Sequence, residues 1–318
     1  MKRSGLMVKC YDYIIRNTTA LFLLIGLWTG AAFSQTAVLT DDLGHRFELK
    51  GCPQRIVSLA PNLTEILFAL GLHQQVIGVT RFCDFPPEAR TKTVVGGLVD
   101  FNLEIIQSLK PDLVLGFRGN PKTLLERLHD FSLPLFVFEQ GQTFEDLFRL
   151  IKKIGQLTCR LKAADDLVHK MNRELSEIEA VVARRATRKK VFLMLSGQGS
   201  GLWSCGRDSY LNYLLEKAGV KNIMAEVPGN WLAVNQEQII AADPEIILIL
   251  SRDEKAFELA RQSIVERKAL RNIQAVKANN IFFLDENIFS RFGPRLIQAY
   301  RNLVSLLYPE ISAPPGRG

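Results

Sequence analysis

Short apolar runs alternate with amphipathic segments in the first half of the chain. The runs are apolar throughout rather than at every second position, which is typical of strands in a parallel sheet covered on both faces. Between them, apolar residues recur at spacings of three and four, which predicts helices. The predicted strands are 55–60, 75–80, 112–116 and 135–138, and the predicted helices are 63–70, 101–109 and 123–130.

The same alternation returns in the second half, with predicted strands at 190–195, 245–250 and 280–284 and predicted helices at 209–218, 236–242 and 294–307. One stretch of sequence also recurs at a constant offset of 133 residues. The copies are Asn102-x-Glu104-x-Ile106 with Pro111–Leu115, and Asn235-x-Glu237-x-Ile239 with Pro244–Leu248. The repeat predicts two α/β lobes built on one plan. Convergence of two helix-Pro-strand units is the alternative.

Residues 143–185 join the two halves. The segment has no Pro and a single Gly, and its apolar residues keep helical spacing over about forty residues. A crossover inside one sheet needs only about a dozen residues. The pattern therefore predicts an α/β fold of two Rossmann-like lobes with mainly parallel sheets, joined by a long rigid helix. A break in that helix is expected near Thr158 and Cys159.

The first 34 residues follow a different pattern. A flank with four basic residues and one Asp precedes the apolar run 20–28, and Ala32 and Ser34 stand three and one residues before a cut at Gln35. This arrangement predicts a cleavable secretory signal peptide and a periplasmic protein. The apolar run is shorter than the ~20 residues that span a membrane, and an uncleaved N-terminal anchor is the alternative.

The expected organisation is a signal peptide at 1–34, an N-terminal lobe at 35–141, an inter-lobe helical segment at 142–186 and a C-terminal lobe at 187–318. Loss of the signal removes four positive charges and one negative charge, which lowers the net charge from +7 to +4. The basic character is thus partly that of the signal, and nucleic-acid binding is not expected.

Four cysteines stay in the predicted mature chain: Cys52, Cys83, Cys159 and Cys205. Export permits disulfides, but sequence alone leaves their pairing open. A buried free thiol is the alternative for each of them.

No catalytic or metal-binding constellation stands out. The four His residues are not spaced as pairs at three or four positions, as a bare-metal site built from imidazoles would favour. The P-loop, His-Glu-x-x-His and Gly-x-Ser-x-Gly motifs do not occur. We therefore expect neither an enzyme nor a resident metal or cofactor. An exported enzyme on a doubly wound scaffold is the competing class.

Aromatic residues cluster near predicted strand ends and turns. Ligands of open α/β sheets bind beyond the carboxyl ends of the strands, and aromatic faces there suit a large, flat, partly apolar ligand. Arg81, Arg118, Arg291 and Arg295 can supply polar contacts. Core packing is the alternative for each ring. The rings are Phe82, Phe85, Phe117, Trp203, Trp231 and Phe289.

Several segments together resemble the helical-backbone (class III) substrate-binding proteins of ABC importers, which serve cobalamin, haem and ferric siderophores. They are Asp41–His45, Arg55–Glu65, Cys83–Pro87, Asn102–Glu104, Lys110–Val114, Phe117–Asn120, Gly206–Ser209 and Phe292–Arg295. The chain looks most similar to the cobalamin-binding branch. The resemblance implies two α/β lobes joined by a long helix.

 The protein itself is expected to be a monomer, to need no cofactor, and to hold its ligand in the cleft between the lobes.

The same resemblance implies a corrinoid ligand of the cobalamin type. Leu98 stands where an aromatic residue is expected, and Asn287 stands where an acidic residue is expected. Cobinamide, haem and ferric siderophores therefore stay open as ligands. The expected ligand-binding residues are Phe82, Leu98, Phe117, Arg118, Trp203, Trp231, Asn287 and Arg291.

Two acidic residues match the positions at which the cobalamin receptors dock on arginines of an ABC permease in the inner membrane. They are Glu65, in the first lobe, and Glu216, in the second. Asn62 followed by Glu65 is also a helix-capping arrangement, which is the structural alternative for Glu65. Glu216 falls in the last turn of its helix, where the helix dipole disfavours an anion; plain surface solvation is its alternative.

Overall fold

The computed structural model describes residues 37–184, 188–197 and 201–309. The predicted signal peptide lies outside these ranges. Residues 38–47 and 52–309 belong to one compact unit, and every contact discussed below lies within it. Across the described ranges, no helix combines the length and the apolar character that crossing a membrane would take.

The first lobe is built on a five-stranded sheet in which all paired strands are parallel, in the order β5-β4-β3-β6-β7. Its central strands are buried along their length, as their continuous apolar runs predict. The strands of this sheet are β3 (Ile56–Ser58), β4 (Val76–Val79), β5 (Thr93–Val94), β6 (Leu113–Phe117) and β7 (Leu135–Phe138). Before them in the chain, β1 (Ala37–Thr40) and β2 (Arg46–Leu49) form a separate two-stranded sheet. The helices are α1 (Pro61–Ala69), a 3-10 helix (Pro87–Thr91), α2 (Leu103–Ser108) and α3 (Lys122–Asp130).

The second lobe has a six-stranded sheet in the order β11-β9-β8-β12-β13, with β10 paired to β8. The β8, β10, β12 and β13 pairings are parallel, whereas β9 and β11 are antiparallel. The strands are β8 (Lys190–Leu195), β9 (Leu202–Cys205), β10 (Lys221–Asn222), β11 (Trp231–Val234), β12 (Ile246–Ser251) and β13 (Ile281–Asp285). The helices are α6 (Tyr210–Lys217), α7 (Gln236–Ala242), α8 (Glu254–Val265), α9 (Gln274–Lys277), α10 (Glu286–Phe289) and α11 (Leu296–Leu307).

The internal repeat occupies equivalent places in the two lobes. Asn102 caps α2 by accepting a 3.0 Å hydrogen bond from the Ile105 amide, and Asn235 caps α7 by accepting a 2.8 Å bond from the Gln238 amide. The strand that follows each helix, β6 or β12, lies beside the central strand of its sheet. The prediction of two lobes on one plan is confirmed.

The connecting segment contains two helices, α4 (Phe144–Leu157) and α5 (Leu161–Val182), rather than one continuous helix. α4 packs against α1 of the first lobe, and α5 packs against α11 of the second. The break falls where the sequence predicts it, because Cys159 adopts a left-handed backbone (φ +56°) that a helix interior does not accommodate. The lobe boundaries themselves stay a prediction.

A disulfide joins Cys52 to Cys159, and Cys83 and Cys205 are buried free thiols. The bridge fastens the segment just before β3 to the break between α4 and α5. It closes a loop across 107 positions of sequence. A cross-link over so long a loop removes many conformations from the unfolded chain.

Four charged side chains form an ion-pair network between the lobes. Glu65 of α1 accepts hydrogen bonds from Arg291 (3.1 Å) and from two nitrogens of Arg295 (2.6 and 3.0 Å). Arg291 also pairs with Asp84 at 2.5 Å. The Glu65 side chain is 1% exposed, and the two guanidinium side chains are 11% and 15% exposed. The network holds residues of the first lobe, Glu65 and Asp84, to residues of the second.

The charges in the network reinforce one another. Burial by itself would raise the pKa of Asp84, but the hydrogen bond and charge of Arg291 outweigh that effect and lower the pKa. Burial by itself would lower the pKa of Arg291, but Asp84 and Glu65 outweigh it and raise the pKa. The buried carboxylate of Glu65 is tolerated because its two guanidinium partners are bound closely.

Replacing Cys52 and Cys159 by Ser should lower the free energy of unfolding by about 2–5 kcal/mol, because the unfolded chain regains the conformations that the bridge excludes. Urea denaturation of residues 35–318, with and without reductant, measures the effect. The reduced wild type should match the double variant, and the oxidised wild type should release two titratable thiols when denatured. Four titratable thiols in the oxidised protein would contradict the pairing.

Glu65→Gln should lower the free energy of unfolding by about 3 kcal/mol, because the charge that holds Arg291 and Arg295 between the lobes is removed. Glu88→Gln is the matched control, because Glu88 is an exposed carboxylate that lines the same surface pocket as Glu65. This substitution should change the free energy of unfolding by less than about 0.5 kcal/mol. Urea denaturation compares the two. Equal effects of both substitutions would show that the network does not stabilise the fold.

Candidate ligand-binding site

Trp203 and Trp231 lie on paired antiparallel strands, β9 and β11. Trp231 is paired with Cys205, and Trp203 is paired with Ala233. Paired residues, and residues two apart on one strand, lie on the same face of a sheet. The two indole rings therefore share a face, where Trp203 is half-buried and Trp231 is 46% exposed.

A pocket of about 330 Å³ opens beside the two rings. It lies at the carboxyl ends of three parallel strands, because Leu195 ends β8, Leu250 is the penultimate residue of β12, and Glu286 follows β13. This is where ligands of open α/β sheets bind. The lining residues are Leu195, Ser196, Trp203, Trp231, Leu250, Glu286 and Ser290.

In the first lobe, Phe82, Leu98 and Phe117 lie at or just beyond the carboxyl ends of β4, β5 and β6. Phe82 is 49% exposed, and Leu98 and Phe117 are partly exposed. None of the three is among the residues that line the pocket beside the tryptophans. The structure thus places the predicted ligand-binding residues in two groups, one on each lobe. Arg291 connects the lobes here, because its Nη2 donates to the Phe82 carbonyl at 3.3 Å.

Asn120 organises the group in the first lobe, a role that the sequence analysis did not assign. Its buried amide nitrogen donates to the carbonyls of Leu59 (3.2 Å) and Leu98 (2.9 Å), and its Oδ1 accepts from the Phe117 amide at 3.0 Å. One side chain therefore fixes the backbone at the ends of β3 and β6 and of the loop that carries Leu98. The signal in the sequence was an Asn in the turn directly after an apolar strand.

Two expectations about aromatic residues were wrong. Trp203 and Trp231 lie within strands rather than in loops. Phe289 is not a rim residue, because it is 2% exposed in α10, and its carbonyl accepts a hydrogen bond from the buried Tyr210 hydroxyl. Phe85 is 40% exposed and lies 4.0 Å from the guanidinium of Arg295, which stacks on its ring.

Each arginine predicted to contact ligand is paired with a carboxylate of the chain. Arg81 pairs with Asp100, and Arg118 pairs with Glu139. Arg291 and Arg295 belong to the inter-lobe network described above. An anionic ligand would therefore compete with internal carboxylates for each of these four guanidinium groups.

Asn287 is also engaged within the chain. Its Nδ2 donates to the Arg252 carbonyl at 3.3 Å and to Asp285 at 3.0 Å, and its carbonyl accepts from Arg295 at 2.9 Å. These bonds hold the start of α10 against the inter-lobe network. Its role in ligand binding stays a prediction.

The two predicted docking residues have different surroundings. The Glu65 carboxylate is buried and bonded to two arginines, so it lacks the exposed charge that docking on a permease would require in this structure. It is not part of a capping box either, because α1 begins at Pro61 and Asn62 donates to the Phe292 carbonyl at 3.4 Å. The sequence could not indicate this burial.

Glu216 keeps the exposed position expected of a docking residue. It lies in the last turn of α6, and its carboxylate accepts a 2.8 Å hydrogen bond from Asn212. The bond orients the carboxylate without neutralising its charge. Its docking role stays a prediction.

The chain is similar in sequence to known transport receptors. It is 30% identical over 279 residues to the uncharacterized ABC transporter substrate-binding lipoprotein YvrC of Bacillus subtilis (strain 168), a match that covers 86% of each chain. It is also 30% identical over 257 residues to the vitamin B12-binding protein of Pectobacterium carotovorum subsp. carotovorum (strain PC1), covering 80% of this chain and 88% of the relative.

Solved structures agree in fold. The periplasmic heme-binding protein RhuT from Roseiflexus sp. RS-1, in apo form, is 25% identical and superposes with a TM-score of 0.73 over 81% of this chain and 99% of that protein. The periplasmic binding protein family matches residues 56–288, which span both sheets and the helices between them. The chain therefore belongs to the periplasmic binding protein family, as a class III substrate-binding protein that serves an ABC-type importer.

Proposed function

We propose that the protein binds a corrinoid of the cobalamin type between its lobes and delivers it to its ABC permease. The observation that carries the proposal is the pair of tryptophans on one face of β9 and β11, beside the pocket at the ends of β8, β12 and β13. Indole faces give a large apolar contact area at low conformational cost. Such a surface suits the edge of a flat macrocycle.

The pairing of the arginines supports a ligand whose periphery is neutral. Arg81, Arg118, Arg291 and Arg295 are all bound to carboxylates of the chain. The propionates of haem, or an anionic siderophore, would have to displace those partners at the buried Arg291 and Arg295 and compete with them at the more exposed Arg81 and Arg118. The periphery of cobalamin carries primary carboxamides, which need hydrogen bonds but no cation.

The composition of the pocket also favours a corrinoid over haem. Among its described lining residues are two Trp, two Leu, two Ser and one Glu, and none of these is the His or Tyr that most often binds haem iron through a protein side chain. The relative from Pectobacterium is a vitamin B12-binding protein, which agrees with this choice. Haem and ferric siderophores are the outcomes that would replace it.

The exposed carboxylate of Glu216 is suited to docking on the permease. Glu216 is exposed on α6 with its charge free to meet a cation of the partner, whereas Glu65 is committed to the contact between the lobes. Charged contacts at a docking surface set encounter rate and register more than affinity. We propose that Glu216 provides such a contact on the second lobe.

Ligand identity can be tested with residues 35–318 titrated separately with cyanocobalamin, dicyanocobinamide, haemin and a ferric hydroxamate siderophore. Trp203 and Trp231 are the only tryptophans left after residue 34, so quenching of their emission reports on the site. We expect a corrinoid to quench and to bind most tightly, with equilibrium dialysis as the independent measure. Tighter binding of haemin or of the siderophore would overturn the choice of ligand.

Trp231→Ala should weaken corrinoid binding at least about tenfold, because a stacked aromatic face contributes more than its buried area alone. Phe131→Ala is the matched control, because Phe131 is similarly exposed (48%) but follows α3 of the first lobe. The control should bind as the wild type does. Equal affinities of the two variants would remove the tryptophan face from the site.

Glu216→Lys should reduce ligand uptake by cells that depend on this protein about tenfold, while the dissociation constant of the ligand stays unchanged. Glu237→Lys, which reverses an exposed charge on α7, is the control and should leave uptake unchanged. Uptake of labelled ligand and dialysis with the purified variants measure the two quantities. Loss of ligand binding in Glu216→Lys would contradict a docking role.

A further inference from the structure

Glu286 is the ionisable side chain in the pocket beside Trp203 and Trp231, among the lining residues that the structure describes. It is the first residue of α10 and follows β13 directly. The backbone there is fixed, because Asp285 accepts a 2.9 Å hydrogen bond from the Asn287 amide. No motif in the sequence singles out Glu286.

The arginines nearest to Glu286 are bound to other carboxylates. Arg291 is bound to Glu65 and Asp84, and Arg252 donates to Asp253 at 3.2 Å. Among the hydrogen bonds and ion pairs of the described residues, no guanidinium bonds to the Glu286 carboxyl. Glu286 is an exposed residue that lines the candidate pocket, and its carboxyl group is available as a hydrogen-bond acceptor.

The pKa of the Glu286 carboxyl group reflects this position. Burial raises the pKa of its carboxyl group, and the nearby charge of Asp285 adds to the effect, while Arg252 and Arg291 act in the opposite direction. A bound ligand would cover this exposed side chain, and a second negative charge on the ligand would then meet Glu286 in a partly desolvated environment. Like charges at close range in such an environment repel strongly.

The other polar groups of the pocket are hydroxyls. Ser251 donates to Ser196 Oγ at 2.8 Å, which leaves the Ser196 hydroxyl proton available to a ligand, and Ser290, directly after α10, is exposed and lines the same pocket. One carboxyl group and two hydroxyls beside the two indole rings match a group that donates N–H hydrogen bonds and has a carbonyl oxygen that accepts one. A primary carboxamide has both.

We propose that Glu286 is a specificity residue, which accepts hydrogen bonds from carboxamide N–H groups on the edge of the ligand and rejects ligands that carry carboxylates there. This inference rests on the proposed function and specifies which peripheral groups of a corrinoid are recognised. A pocket of about 330 Å³ holds side-chain arms and an edge of a macrocycle rather than a whole one. Charge-assisted N–H bonds reward the amide, and repulsion excludes the acid.

The test compares cyanocobalamin with its monocarboxylic derivatives, in which one peripheral amide is hydrolysed, by dialysis against the wild type and Glu286→Gln. The wild type should bind at least one of the acids ten times or more weakly than the amide. Glu286→Gln keeps the size of the side chain, and its ratio for that acid should fall below about threefold, mainly through a gain in binding of the acid. Glu254→Gln, which alters an exposed carboxylate at the start of α8, is the control and should keep the wild-type ratio.

Failure of this inference and failure of the proposed function give different results. If haemin binds and corrinoids do not, the proposed ligand is wrong, and the same comparison is made between haemin dimethyl ester and haemin. Glu286 should then favour the neutral ester in the wild type and lose that preference in Glu286→Gln. An equal ratio in wild type and Glu286→Gln, for whichever ligand class binds, would overturn the role of Glu286, and equal urea midpoints show that both proteins are folded.

Discussion

The buried carboxylate of Glu65 is the constraint on which the arrangement of the two lobes depends. It lies almost without solvent and is matched by guanidinium groups that come from the far end of the chain, 226 and 230 positions away. A charge in such a position is stable only while its partners stay close. The contact that holds Arg291 and Arg295 therefore also fixes the loop of Phe82 and the start of α10, which border the two halves of the site.

The use of arginines inside the protein shapes the chemistry that is left for a ligand. The guanidinium groups are bound to Glu65, Asp84, Asp100 and Glu139, and the pocket of the second lobe offers indole faces, hydroxyls and the carboxyl group of Glu286. Recognition then depends on shape, stacking and neutral hydrogen bonds. This combination connects the tryptophan pair of the second lobe to the role proposed for Glu286.

Most of the fold could be predicted from the local pattern of apolar and polar residues. The apolar strands at 135–138 and, after Lys190, at 190–195 and the helix at 236–242 were predicted to the residue, because buried parallel strands and capped helices leave strong local signals. β9 and β11 were missed, because each is only four residues long and lacks a continuous apolar run, and β11 is a largely exposed edge strand. The burial of Glu65 and the Cys52–Cys159 pairing were beyond local pattern, since both depend on residues more than 100 positions apart.

The disulfide has a mechanical consequence for the connection between the lobes. Because Cys159 is tied to Cys52, beside the first sheet, the start of α5 is fixed there, and its 22 residues, which pack against α4 and α11, extend toward the second lobe. At 1.5 Å per residue, α5 is about 33 Å long. A tilt of about 5° at its fixed end moves the far end by about 3 Å, which is on the scale of one hydrogen bond gained or lost in the cleft.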